Sequence, residues 1–194
     1  MRLRYNIKEL KIACIPSVHR MYDSLSEESK RLFHPGFLGL TSISARWFLA
    51  QMALLASSFR CLRKVLTRTF PLAVILYSVA INQRNEVIGF AFIKVKKRLF
   101  KEGFLGELGI CVREDRQGRE IGSKLMENLI GLARKENVKR IYLTVLTDNV
   151  KAIHLYRKYG FKKKGIIEGG DLWCGRRYNC IEMWLDITLR FNPS

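Results

Sequence analysis

Asn149 and Tyr156 stand seven residues apart in the segment IYLTVLTDNVKAIHLYRKYGF. On a helix that interval is two turns, about 10 Å along the axis, and it returns both side chains to nearly one face. An amide donor and a phenol sharing a face can hold an extended ligand at one point and deliver a proton at another. A second group lies upstream in Gln117-Gly118-Arg119-Glu120-Ile121-Gly122, a polar turn with two glycines that opens a helical pattern. The first amides of a helix have no internal partners, and its dipole places about half a positive charge there. Such a turn is an anion site, with phosphate as its natural ligand. Taken separately, each group has a plainer explanation: glycines that only shape a turn, and a tyrosine that only packs on a sheet.

The elements that must position these residues are readable around them. Leu108 to Val112 has the short apolar character of a central strand. Beyond the turn, Ile121, Leu125, Leu129 and Ala133 recur every four residues with Met126 and Ile130 beside them, which is the packed face of an amphipathic helix. Ile141 to Leu146 reads as a second buried strand. Thr147-Asp148-Asn149 is a capping signal, and the helix it starts ends at Gly160.

With both groups in order and a strand between them, the chain from about Leu72 to Asp186 resembles the GNAT superfamily of acyl-coenzyme A-dependent N-acyltransferases. The family's pyrophosphate motif, Q/R-x-x-G-x-G/A, falls on Gln117 to Gly122. Its second motif, N-x-x-A-x-x-x-Y followed by G-F, falls on Asn149, Ala152, Tyr156, Gly160 and Phe161. The departure is Glu120, where the family expects glycine. The resemblance implies an α/β (α+β) fold: a mixed, mostly antiparallel central sheet flanked by helices.

Composition sets the outer bounds. A chain of 194 residues suits one well-packed domain and is short for two. With 48% hydrophobic and 27% charged residues it is an ordinary globular composition, which argues against extensive disorder. Lys and Arg number 35 against 17 Asp and Glu, a net charge of +18, and such a field attracts coenzyme phosphates, nucleic acid or the ribosome. The basic residues are spread out, and no nucleic-acid-binding motif accompanies them. Five cysteines, widely spaced and without a C-x-x-C pair, argue against a disulfide framework and against a metal site, and make the cytoplasm the expected compartment. No signal peptide is read at the N-terminus.

Along the chain, Met1 to Ile7 is expected as a first strand and Ile12 to Tyr22 as a first helix. In SLSEESKRLFHP a second helix is capped by Ser24 or Ser26 and stopped at His34-Pro35-Gly36. The stretch from Thr41 to Arg68 has no Gly or Pro and reads as an inserted helical element. Three roles stand open for it: a cover on the acceptor pocket or an extra core layer, a homodimer contact, or a membrane-surface helix. Its apolar part is too short to span a bilayer. Leu72 to Ile81 and Val87 to Val95 form a hairpin, and the run Lys94 to Gly103 is its charged, solvated end. Lys162 to Ile167 and Asn179 to Ile187 are the last strands, with Gly169, Gly170 and Gly175 in the connection. The chain reads as a single domain over 1–194, with 41–68 as its insertion.

The resemblance also implies a chemistry. Acetyl-coenzyme A is the donor and a primary amine the acceptor, whether a small amine, a peptide N-terminus or a lysine. Backbone groups of Ile110, Cys111 and Val112 pair with the pantetheine arm, and the segment Gln117, Gly118, Arg119, Glu120, Ile121 and Gly122 cradles the pyrophosphate. Asn149 holds the cofactor arm, and Tyr156 is the general acid. Glu107 is the candidate base, with a strand-end carboxylate paired to a lysine as the alternative. Tyr22, Ser24, Phe33 and His34 are candidate pocket residues by the same analogy. The competing class is a module of this fold that binds coenzyme A or a partner with little catalysis.

Overall fold

The computed structural model describes residues 5–33, 74–96 and 104–187. The inserted element expected at 41–68, residues 97–103 of the charged hairpin end, and His34 lie outside the described residues. Seven strands form one sheet among the described residues: β1 (Tyr5–Lys8), β2 (Val74–Asn82), β3 (Val87–Lys96), β4 (Phe104–Val112), β5 (Val138–Leu146), β6 (Lys162–Trp173) and β7 (Arg176–Asp186). Their order across the sheet is β1-β2-β3-β4-β5-β7-β6. Every neighbouring pair is antiparallel except β4 and β5. That parallel pair requires a crossover, and the helix between the two strands supplies it.

Among the described residues the α-helices are α1 (Ile15–Asp23), α2 (Glu27–Leu32), α3 (Ile121–Lys135) and α4 (Val150–Lys158). Pro16 lies in the first turn of α1, where its missing N–H costs nothing. Ser26 caps α2 by accepting from the Ser29 amide at 3.1 Å. Helix α3 buries Ile121, Leu125, Met126, Leu129, Ile130 and Ala133, the face expected from their spacing. Burying each of the larger side chains contributes about 1.5–3 kcal/mol, which outweighs the modest intrinsic propensity of the segment.

The sheet separates two cores. On one face α3 and α4 pack over Ile88, Ile93, Leu108, Ile141 and Leu143. On the other, Val18 and Met21 of α1 pack with Tyr77, Phe90, Phe92 and Cys111. Along β4 this alternation sends Leu108 to the α3 side and Cys111 to the α1 side, so Glu107 shares the α1 side.

Gly169 and Gly170 do not sit in the loop between the last strands but inside β6, at a register irregularity between Ile167 and Asp171. The turn itself is Cys174-Gly175, with Gly175 at φ +77°. Two adjacent glycines favour a local bulge as readily as a loop, and here the ladder continues beyond them.

Candidate active site

The central feature is an interrupted ladder. β4 and β5 pair from Phe104↔Val138 to Glu107↔Tyr142, with one irregularity between Phe104 and Leu105, and the pairing stops there. Beyond it β5 pairs only with β7, through Leu146↔Cys180. On its other edge β4 stays paired to β3 up to Val112, and the Arg113 amide donates to the Ile88 carbonyl at 3.0 Å. That bond fixes the phase of the ladder. Glu107, Gly109 and Cys111 exchange hydrogen bonds with β3, whereas Leu108, Ile110 and Val112 turn their backbone polar groups toward the gap. Of the three strand residues expected to hold an extended ligand by their backbone, Ile110 and Val112 therefore face the gap and Cys111 faces β3. Gln117 already satisfies one of these groups, because its Nε2 donates to the Val112 carbonyl at 3.2 Å.

The gap opens into a crevice of about 1390 Å³ lined by β4, the head of α3 and the inner face of α4. At one end, Gly118 has φ +71° with open space around it, and Glu120 has φ +61° as the residue before α3. Alternating backbone conformations of this kind turn successive amides into one concavity, which adds to the helix dipole as an anion cradle. Gly122 lies one residue into α3, where an added Cβ would stand 3.2 Å from Leu155 Cδ2 and 3.9 Å from Val112 Cγ2. The carboxylate of Glu120 acts electrostatically on Tyr5, Lys124 and Tyr159, none of which lines the crevice. Gln117, Gly118, Glu120, Ile121 and Gly122 line it, whereas Arg119 is exposed and outside the lining.

Asn149 and Tyr156 both reach the same crevice from α4. Asn149 is the N-cap: its Oδ1 accepts from the Ala152 amide at 3.2 Å, which fixes the side chain and leaves Nδ2 as the donor end. The Tyr156 ring is buried against Phe161, with centroids 5.7 Å apart. Burial pushes its phenol well above the usual range, so it stays protonated at working pH. Cys111 is likewise held as a thiol: burial, followed by the charge of Glu114, pushes it up to about 12.

Glu107 stands at the fork of the two strands, and its Oε2 accepts from the Tyr142 hydroxyl at 2.9 Å. Glu107, Thr144 and Phe33 all line the crevice. Tyr22 packs edge-on to Phe33 at 6.4 Å, and the Ser24 hydroxyl donates to the Met21 carbonyl at 2.7 Å, so these two support α1 and α2. Helix α2 bridges the two lips of the crevice. The Ser26 amide donates to Glu114 Oε1 at 2.8 Å, and Arg31 Nη2 donates to Asp148 Oδ2 at 2.8 Å. Sequence reasoning missed Arg116, Lys151 and Lys158, which add positive charge to the lining. The seven-residue interval from Lys151 to Lys158, the same as from Asn149 to Tyr156, was the available signal.

Comparison with known proteins agrees with this geometry. Residues 47–161, more than half the chain, match the model of the acetyltransferase (GNAT) family. An L-amino acid N-acetyltransferase of Escherichia coli is 37% identical over 82 residues, 42% of this chain and 50% of that protein. An L-methionine sulfoximine/L-methionine sulfone acetyltransferase of Pseudomonas aeruginosa is 30% identical over 121 residues, 60% of this chain and 65% of that protein. The chain thus spans between half and two thirds of the length of these relatives. Among solved structures, a GNAT superfamily phosphinothricin acetyltransferase from Sinorhizobium meliloti in complex with AcCoA superposes with a TM-score of 0.69 at 16% identity, over 96% of this chain and 89% of that one. With its family model, both motifs and the parted central strands in agreement, the chain belongs to the acetyltransferase (GNAT) family.

Proposed function

We propose that this protein is an N-acetyltransferase that moves an acetyl group from acetyl-coenzyme A directly to a primary amine, within a single domain that takes 41–68 as an insertion. The observation that carries the reading is the parting of β4 and β5 after Glu107↔Tyr142, which turns the backbone of Ile110 and Val112 toward a crevice ending on the amides of α3. The residues present fit the cosubstrate. The left-handed Gly118 and the missing side chain at Gly122 leave room for a diphosphate over those amides, and Arg116, Lys151 and Lys158 supply charge around it. When bound, acetyl-coenzyme A supplies the activated acetyl thioester.

Each residue then has a task. The α3 amides hold phosphate oxygens. The gap-facing backbone of β4 pairs with the extended arm as an added strand does, and Asn149 Nδ2 donates to it. Tyr156, kept neutral by burial, gives a proton to the departing sulfur. Glu107 receives a proton from the acceptor nitrogen. The acceptor approaches from the α1 and α2 side, past Phe33 and Thr144.

The relatives' names favour a small amine of the amino-acid kind, and a protein amine is the second acceptor class. Calorimetric titration with acetyl-coenzyme A, paired with thiol release over a panel of amino acids, polyamines and peptides, tests the reading. Tight binding with no release for any amine would favour a binding module instead. Contact with nucleic acid or the ribosome follows only from the +18 charge. It requires polyanion binding that weakens steeply with salt. A homodimer is checked by sedimentation. Among the described residues, no helix is long and apolar enough to cross a membrane.

A further inference from the structure

The acceptor side of the fork carries a row of side chains that neither motif includes. Glu107 and Tyr142 are Cα partners on the last rung of the β4–β5 ladder, and Tyr142 and Trp184 are Cα partners across β5 and β7. The Tyr142 hydroxyl donates to Glu107 Oε2 at 2.9 Å. The Tyr142 ring is stacked on Trp184, with centroids 5.5 Å apart and planes 30° apart. Trp184 Nε1 in turn donates to Glu182 Oε1 at 2.8 Å, and the Lys164 ammonium lies 4.2 Å over the Trp184 ring. Stacking fixes the plane of the phenol, the strand register fixes its height, and its hydroxyl is thereby aimed at one oxygen of Glu107.

We propose that Tyr142 is a positioning residue for Glu107 in acetyl transfer, holding the carboxylate at the fork of β4 and β5 where it meets the acceptor nitrogen. The inference rests on the N-acetyltransferase reading above. In the step it serves, the C–N bond forms as the C–S bond breaks. One proton passes from the amine to Glu107 and one from Tyr156 to sulfur, so charge and atoms balance. The bond to Tyr142 holds one oxygen of the Glu107 carboxylate. What it removes is rotational freedom. A base displaced by about 1 Å loses much of the advantage of a pre-set geometry. A bond that only satisfied a half-buried carboxylate would show no coupling to turnover through Glu107.

A double-mutant cycle on the full chain separates these roles. Thiol release with acetyl-coenzyme A and the best amine of the panel is measured for wild type, Tyr142→Phe, Glu107→Gln and the double variant. Melting temperatures serve as the check on folding, and Phe retains the stack on Trp184. The expected result is a fall in kcat of roughly tenfold or more for Tyr142→Phe, with KM for acetyl-coenzyme A unchanged. In the Glu107→Gln background the same change has no further effect. Losses that multiply independently, or a Tyr142→Phe variant with wild-type kcat, would overturn the proposal while leaving the activity reading intact. Wild-type protein that releases no thiol with any amine would instead remove the activity reading, and this inference with it.

Discussion

Gly122 and Leu155 hold α3 and α4 together at the head of the crevice: a Cβ on Gly122 would stand 3.2 Å from Leu155 Cδ2. A methyl group there is accommodated by a small movement of a flexible leucine. A branched side chain has to displace Leu155 or enter the crevice. Gly122→Val is therefore expected to weaken acetyl-coenzyme A binding at least about tenfold, equivalent to roughly 1.4 kcal/mol. Secondary structure should be kept, because glycine inside a helix is the poorer helix former. Calorimetry and circular dichroism check the two halves. Unchanged affinity would place the diphosphate elsewhere.

Glu120 occupies the position where the motif it resembles has glycine, and it does so in a left-handed conformation at φ +61°. A non-glycine residue there carries a penalty of about 1 kcal/mol, partly offset because glycine is more flexible in the unfolded chain. Its negative charge also competes with a phosphate for the dipole of α3. Glu120→Gly is expected to keep or raise the melting temperature and to tighten acetyl-coenzyme A binding about twofold to threefold at low salt, less at high salt. Weaker binding would mean that the Glu120 side chain itself contacts the ligand.

The attachment of α2 to the β4–α3 lip through Ser26 and Glu114 is expected to depend on pH. Hydrogen bonds from Ser26 and Ser29 hold the Glu114 carboxyl below its ordinary value of 4.5. A depressed carboxylate stabilises the folded form above its unfolded pKa, and that contribution is lost as pH falls through the folded value. Protection of the Ser26 amide against hydrogen exchange, corrected for intrinsic rate, should therefore drop below about pH 4.5 in wild type. In Glu114→Gln, whose Oε1 can still accept from the Ser26 amide, protection should be flat with pH across this range. A pH-dependent loss that survives Glu114→Gln would assign the effect to another carboxylate.

Much of this site is legible in the sequence because it is local. The four-residue recurrence from Ile121 to Ala133, the glycines at 118 and 122, and the interval from Asn149 to Tyr156 each lie within one element and its cap. The α3 face, the N-cap role of Asn149 and the meeting of both motifs in one crevice accord with that reading.

What escaped it depends on register between distant strands. Nothing in the sequence near Glu107 says that its ladder to β5 ends at Tyr142, because that point is set by where the sheet splays. The same holds for the backbone of Cys111, which the phase of the β3–β4 ladder turns away from the gap. Helix α2 touches both lips through Ser26 and Arg31, across 88 and 117 residues of chain. Gly169-Gly170 read as a loop because glycine marks bulges and turns alike, and only the continuing pairing of β6 with β7 distinguishes them.

In the proposed transfer Tyr156, held protonated by its burial beside the crevice, delivers the proton that sulfur needs. The most direct measurement is amine-dependent thiol release from acetyl-coenzyme A by wild type and Tyr156→Phe across about pH 6 to 10. We expect kcat to fall about a hundredfold in the variant, with acetyl-coenzyme A affinity unchanged. In wild type, no loss of activity should be traceable to phenol ionisation within that range, since burial moves that ionisation above it. Equal turnover by the two proteins, or tight binding without release by either, would contradict the account.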